Sequence, residues 1–159
     1  MTVKDVMTQQ VATCRPETNL AEAAALMWEK DCGALPVLAE SGELTGIITD
    51  RDICIALGTR NVRSSDLCVR DVVKDHPLVC RSSDDIHVAL QTMHDAKIRR
   101  LPVVNENASL EGIVSIDDVV LSAAHGNGKL DHGISYGDVV TTLQAIYVHD
   151  QFRGQSAAA

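Results

Sequence analysis

Two stretches of this chain combine residue types that could do chemistry: Gly46-Ile47-Ile48-Thr49-Asp50-Arg51-Asp52 and Gly112-Ile113-Val114-Ser115-Ile116-Asp117-Asp118. Each sets a glycine, two β-branched residues and a hydroxyl, with an aspartate three positions beyond the hydroxyl. One interpretation is a helix start. A Thr or Ser N-cap with an acid three residues on satisfies orphan amides, and the acid suits the helix dipole. That pattern is common, and Ser135-x-x-Asp138 shows it again. The other interpretation adds a ligand. A helix N-terminus behind a strand presents backbone donors and a positive dipole end to a phosphate. Thr49 or Ser115 adds a hydroxyl donor, and Asp52 or Asp118 accepts hydrogen bonds from both hydroxyls of a ribose. A glycine inside a strand marks a place where something approaches the backbone closely. Two copies in identical register favour the ligand over the bare cap.

The remaining chemistry-bearing residues are weaker. Lys97, Arg99 and Arg100 lie just before the second Pro-Val strand, Leu101-Pro102-Val103, where the first copy has Asp31, Gly33 and Ala34. They form either a solvated surface cluster or a phosphate-binding group, for which the Arg fork is suited. Arg51 also faces an acidic counterpart, Asp117, so the two copies differ in charge. Gly126-Asn-Gly128-Lys129 lacks phosphate-loop spacing and follows no strand, so it is a connector. The six histidines (76, 87, 94, 125, 132, 149) match no zinc pattern, and no nucleophile elbow is present. The five cysteines (14, 32, 54, 68, 80) show no C-x-x-C spacing and suit small buried hydrophobes in a reducing compartment. Cys14 and Cys80 are repeat-equivalent, which leaves a response to oxidation open.

The elements that must position these residues are themselves written twice. Residues 3–58 recur at 69–124 with a constant offset of 66, as Val3 to Val69 shows. A repeat of this kind governs the fold. Each copy has a short helical lead-in (3–7), a short strand (11–14) and a helix capped by Asn19 with Glu22. The helix bears an apolar stripe of Leu20, Ala23, Ala24, Met27 and Trp28 and stops at Gly33. A hairpin follows, with strands 35–38 and 44–49 around the turn 40–42. A second helix runs from Thr49 or Asp50 to about Gly58. The second copy predicts a strand at 78–81, a stripe of Ile86, Ala89, Leu90 and Met93, a hairpin of 101–104 and 110–115, and a helix at 117–124. The predicted fold class is α+β, two β-α-β-β-α repeats related by a pseudo-two-fold axis, plus a C-terminal helix. The expected divisions are a first domain at 1–60, a linker at 61–68, a second domain at 69–124, a loop at 125–136, the final helix at 137–150 and a disordered tail at 151–159. The final helix would present Val139, Val140, Leu143, Ile146 and Tyr147 on one face, behind the cap Ser135.

Bulk properties narrow the function. A chain of 159 residues supports one ordinary core or two small interlocked ones. Aromatics are only 3%, so the core is aliphatic. A net charge of −8 argues against a nucleic-acid polymer or an anionic membrane surface as partner. No apolar run is long enough to span a bilayer, and the N-terminal residues lack signal-peptide character, which predicts a cytoplasmic protein.

The lead-in Asp5-Val6-Met7, the Pro36-Val37 and Pro102-Val103 strands and the two Gly-to-Asp motifs together resemble the cystathionine-β-synthase-type (CBS) domain. The pair resembles a Bateman module over roughly residues 1–124, similar to small stand-alone bacterial proteins. The resemblance implies two repeats packed through their sheets, with two pseudo-symmetric clefts that take AMP, ADP, ATP, S-adenosylmethionine or NAD-like ligands. It assigns ribose hydroxyls to Asp52 and Asp118, and phosphate or ribose contacts to Thr49 and Ser115. Val11, Thr13, Leu35, Pro36, Leu78, Val79, Leu101 and Pro102 would line the base pockets. It also implies a flat homodimer, burying helix faces around Met27 and Met93. Arg51, Arg99 and Arg100 depart from strict symmetry, so the two clefts should differ. The expected function is a non-catalytic adenine-nucleotide sensor with no required cofactor, acting on an unidentified protein partner. The alternatives are an interaction protein with vestigial clefts and, less favoured, a thiol or metal sensor.

Overall fold

The computed structural model describes residues 1–73, 77–124 and 133–148. In chain order the regular elements are β1 (Thr8–Gln9), α1 (Leu20–Glu29), β2 (Ala34–Leu38), β3 (Leu44–Thr49), α2 (Asp50–Arg60), β4 (Cys80–Arg81), α3 (Ile86–Ala96), β5 (Arg100–Val104), β6 (Leu110–Ser115), α4 (Ile116–Ala124) and α5 (Tyr136–Tyr147). Short 3-10 turns occupy Val3–Asp5, Ser64–Asp66 and Val69–Asp71. The fold is α+β, with five α-helices among the described residues. Strands β2 and β3 pair antiparallel, Ala34 opposite Thr49 and Leu35 opposite Ile48, with an irregularity between Val37 and Leu38. The other sheet has the order β1-β6-β5-β4.

Both hairpins follow from the sequence. The Leu-Pro-Val strands are buried nearly throughout, while β3 and β6 bury Gly46 with Ile48 and Gly112 with Val114. The expected strands at 11–14 and 78–81 are shorter. Among 11–14 only Cys14 bridges, parallel to Val37, and only Cys80–Arg81 pairs in the second copy.

The chain divides into two compact units, and neither coincides with a sequence copy. One comprises Met1–Thr8, Cys80–Val103 and the described residues from Ile113 onward. The other comprises the described residues of Gln9–Val79 with Val104–Gly112. The lead-ins are exchanged. Val3 is fully buried in the core built by Ile86, Met93, Leu101 and Val114, and Val69 is fully buried with Leu20, Leu35 and Ile48. The backbone repeats the exchange bond for bond. Val3 N–H donates to Asp84 O (2.9 Å), as Val69 N–H does to Thr18 O (2.8 Å). Ile86 N–H donates to Met1 O (3.1 Å), as Leu20 N–H does to Leu67 O (2.9 Å).

Helix α1 starts where Asn19 Oδ1 accepts the Glu22 amide at 2.9 Å. It ends at Glu29 rather than at Gly33, because Asp31 takes the left-handed conformation (φ +49°). Its stripe is narrower than periodicity predicts. Leu20, Ala23 and Met27 are buried, whereas Ala24 is exposed and Trp28 is 87% exposed. In the second copy Leu90, the counterpart of Ala24, is buried beside Val139 and Ile146 in the same core. The difference is α5, which packs along α3 and α4. Met27 and Met93 both lie inside their own cores rather than on an exposed helix face.

Helix α5 begins at Tyr136, behind its cap Ser135, and buries Val139, Thr142 and Ile146. Val140 and Tyr147, expected on its apolar face, are 51% and 55% exposed. Thr142 takes an inward place because its hydroxyl donates to Asp138 O at 2.9 Å, which satisfies it locally. Residues 149–150 of the expected helix, the loop residues 125–132 and the tail 151–159 lie outside the described residues.

Candidate functional site

The two motifs sit at corresponding corners, where β3 runs into α2 and β6 runs into α4. At the first, Asp52 Oδ2 accepts the Thr49 amide (3.0 Å) and the Thr49 hydroxyl (2.6 Å), while Thr49 Oγ1 accepts the Asp52 amide (3.2 Å). At the second, Asp118 Oδ2 accepts the Ser115 amide (2.8 Å) and hydroxyl (2.6 Å), while Ser115 Oγ accepts the Asp118 amide (3.2 Å). Both are complete capping boxes. Each hydroxyl hydrogen is committed to the carboxylate, so in this state Thr49 and Ser115 face a ligand only as acceptors. The Ser135–Asp138 pair makes the same three bonds at 2.9, 2.6 and 3.2 Å. Those bonds hold the Asp138 carboxyl below the usual carboxylate range, the Ser135 hydroxyl contributing most.

Capping consumes only one oxygen of each carboxylate, and the other oxygens differ. Among the described residues Asp52 Oδ1 accepts no hydrogen bond. Asp118 Oδ1 accepts the Thr8 hydroxyl at 3.1 Å. Thr8 was not among the residues singled out from sequence. The available signal was that position 8 is a threonine whereas its repeat counterpart, 74, is a lysine outside the described residues.

The helix tips also differ in their amides. On α2, Asp50 N–H donates to Gly33 O (3.3 Å) and Arg51 N–H to the Asp50 carboxylate (2.7 Å). On α4, Ile116 N–H donates to Arg99 O (2.9 Å), and the Asp117 amide has no acceptor among the described residues. An acid thus covers the first tip, where a phosphate would have to displace it. The second tip has Ile116 in that place and an open amide, the arrangement suited to an anion. Arg100 opens β5, and Arg99 precedes it with its guanidinium 4.8 Å from the centre of the Tyr147 ring, a cation–π contact with α5. Arg51 is exposed on the first turn of α2.

The residues expected to line base pockets divide by burial. Leu35 and Leu101 are fully buried in the two cores, and Pro36 and Pro102 are buried in the same strands. Any ligand contact from Leu35 or Leu101 would be through main chain. Pro36 O accepts the Cys14 amide at 3.0 Å, and Pro102 O receives the Cys80 thiol at 4.0 Å. Val11 and Thr13 are half-buried, whereas Leu78 and Val79 are 52% and 41% exposed, apolar surface available to a flat ring. Val11, Thr13, Leu35, Pro36, Thr49, Arg51, Asp52, Leu78 and Val79 fall in one unit. Arg99, Arg100, Leu101, Pro102, Ser115 and Asp118 fall in the other, with Thr8.

Cys14 and Cys80 are both buried, and burial pushes their thiols up to about 11 and about 12. Such thiols stay protonated at neutral pH and are poor nucleophiles. Among the described residues no three of His, Cys, Asp and Glu come together as a metal site, and no helix is long and apolar enough to cross a membrane.

Comparison with known proteins agrees with this geometry. The CBS domain family model matches residues 3–59 and 69–125. CBS domain-containing protein YhcV of Bacillus subtilis (strain 168) is 39% identical over 120 residues, covering 76% of this chain and 84% of that protein. The structure of CBSX2 in complex with AMP, a protein of Arabidopsis thaliana, superposes with a TM-score of 0.68 at 32% identity, covering 77% of this chain and 96% of that one. The CBS domain pair of protein MJ0100, in complex with 5-methylthioadenosine and S-adenosyl-L-methionine, superposes with a TM-score of 0.69 at 25% identity, covering 76% and 98%. With both copies matched and the two capped helix tips in corresponding places, the chain belongs to the CBS-domain family as a tandem CBS pair.

Proposed function

We propose that this chain is a non-catalytic regulatory module that binds adenine nucleotides at the tips of α2 and α4 and passes the binding event to a protein partner. The observation that carries this is the open oxygen of Asp52 at a duplicated, capped helix tip. A ribose diol can bond there without breaking the cap. Ligand-bound relatives, CBSX2 with AMP and MJ0100 with 5-methylthioadenosine and S-adenosyl-L-methionine, support an adenosine-type ligand. Asp52 and Asp118 hold the ribose. Arg99, Arg100 and the Asp117 amide favour the phosphate at the second tip. The ligand regulates by differential affinity for two states of the pair, since equal affinity would shift nothing. Calorimetric titration with AMP, ATP and NAD tests the proposal: saturable binding of at least one is expected, and no binding of any refutes it.

A second reading has one observation in its favour. The Ser135–Asp138 box at the start of α5 has the same geometry as the two candidate sites. On that reading all three acids are caps only, and the protein is an interaction module.

Pairing of two copies is the further part of the proposal. Helix α5 covers α3 and α4, but among the described residues no helix covers the outer side of α1, where Trp28 is 87% exposed. We assign that face to a second copy. Trp28 is the sole tryptophan, so its emission reports the contact directly. Emission should shift to the red on dilution. An emission maximum that is independent of concentration and typical of a solvated indole contradicts the pairing.

A further inference from the structure

The proposed sites at Asp52 and Asp118 differ in how many acceptor positions they have left for a sugar. An ionised carboxylate offers about four lone-pair positions. At Asp52 two are taken by the Thr49 amide and hydroxyl, both on Oδ2, so the two on Oδ1 remain. At Asp118 two are taken by Ser115 in the same way, and a third by the Thr8 hydroxyl on Oδ1. A ribose presents two adjacent hydroxyls and needs two acceptor positions to be held as a diol. Asp52 can supply both. Asp118 can supply one while Thr8 stays in place.

From this count we infer that Thr8 is a specificity-determining residue. It makes the Asp118 site one that holds a single sugar hydroxyl and tolerates a deoxyribose, whereas the Asp52 site selects the full ribose diol. The inference rests on the nucleotide reading above and adds what the second site accepts. A site built around two hydroxyl bonds rejects an analogue that lacks one, because an acceptor is then left without its donor. A site that made only one such bond loses much less. The Thr8 side chain is exposed, and among the described residues its hydroxyl bonds only Asp118, so replacing it should leave the fold intact. It also lies on β1, beside β6 in the sheet, so the sheet fixes where its hydroxyl is held.

The test isolates each site and compares AMP with 2′-deoxy-AMP by calorimetry. In Asp118→Ala, which leaves the Asp52 site, AMP should bind at least about tenfold more tightly than 2′-deoxy-AMP, the value of one charge-assisted bond. In Asp52→Ala, which leaves the Asp118 site, the two ligands should bind nearly alike. Adding Thr8→Val to Asp52→Ala should restore the preference for AMP, and Thr8→Ala should do the same, which separates loss of the hydroxyl from a change in shape. Equal preference at the two isolated sites overturns the role of Thr8, as does a ratio that neither substitution at position 8 changes. Wild-type binding of AMP that disappears in both single-site variants also overturns it, because the sites are then not independent. Failure of the wild type to bind AMP at all is a different result: it removes the nucleotide reading itself, and this inference with it.

Discussion

Replacing each of the three capping aspartates by alanine separates a cap from a ligand site, because the chain carries its own control. The boxes at Thr49–Asp52, Ser115–Asp118 and Ser135–Asp138 have hydroxyl–carboxylate distances of 2.6 Å in all three cases. Removing the carboxylate takes away two accepted bonds and the negative charge at a helix N-terminus. Loss of a cap of this kind costs about 0.5–2 kcal/mol, of which the dipole term is about 0.3–1 kcal/mol. At roughly 2–4 °C per kcal/mol for a chain of this size, each variant should melt about 1–8 °C below wild type. Binding should not follow that pattern. Two bonds from sugar hydroxyls to a carboxylate are worth about 1.5–3 kcal/mol each, so Asp52→Ala should weaken its site by about a hundredfold or more. Asp118→Ala, which loses one such bond, should weaken its own site by about tenfold or more, and Asp138→Ala should leave the AMP isotherm unchanged. Scanning fluorimetry and calorimetry on the same preparations give both readouts. If all three variants melt alike and all bind AMP like wild type, the acids are caps and the sensor reasoning is wrong. If Asp52→Ala melts like wild type, the box itself is not formed in solution.

Other outcomes follow from burial and charge. Iodoacetamide should alkylate exposed Cys54 in the native protein but leave Cys14 and Cys80 unmodified until denaturant is added, since burial raises their thiols to about 11 and about 12; rapid native labelling of either, read by peptide mass spectrometry, would reopen a redox role. Asp138 has a folded-state pKa below its ordinary value through its bonds from Ser135. Between the folded and unfolded values the unfolded chain binds more protons, so this contribution is complete above the unfolded value and fades as pH falls through the folded one. Asp138→Asn should therefore lower stability at neutral pH and flatten its decline on acidification; an acid transition identical to wild type, followed by circular dichroism, would count against the cap.

The sequence made some features legible because they are local. Strands 44–49 and 110–115 stand where a glycine and β-branched alternation put them, and Asn19, Thr49 and Ser135 each cap the helix they precede. Other features depend on tertiary contacts. Val3 and Val69 are the same residue in equivalent segments, so nothing local says which core each enters, and each is buried in the core built by the other copy. Periodicity marks an apolar stripe but not what covers it, which is why Ala24 and Trp28 fall outside the core while Leu90, under α5, falls within it. Likewise Val140 and Tyr147 lie beyond the width of the contact α5 makes. The candidate acids were visible as a motif, but the division of labour between their two oxygens was not. It depends on a bond between Thr8 and Asp118, far apart in the chain, and on Asp50 turning back to the Arg51 amide.

A crystal structure of the protein grown with AMP tests the central claim most directly. The account predicts ribose hydroxyls within hydrogen-bond distance of Asp52 Oδ1, with the Thr49–Asp52 box still closed beneath them. AMP bound elsewhere, with both Asp52 and Asp118 touching only their own backbone and hydroxyl partners, would contradict it.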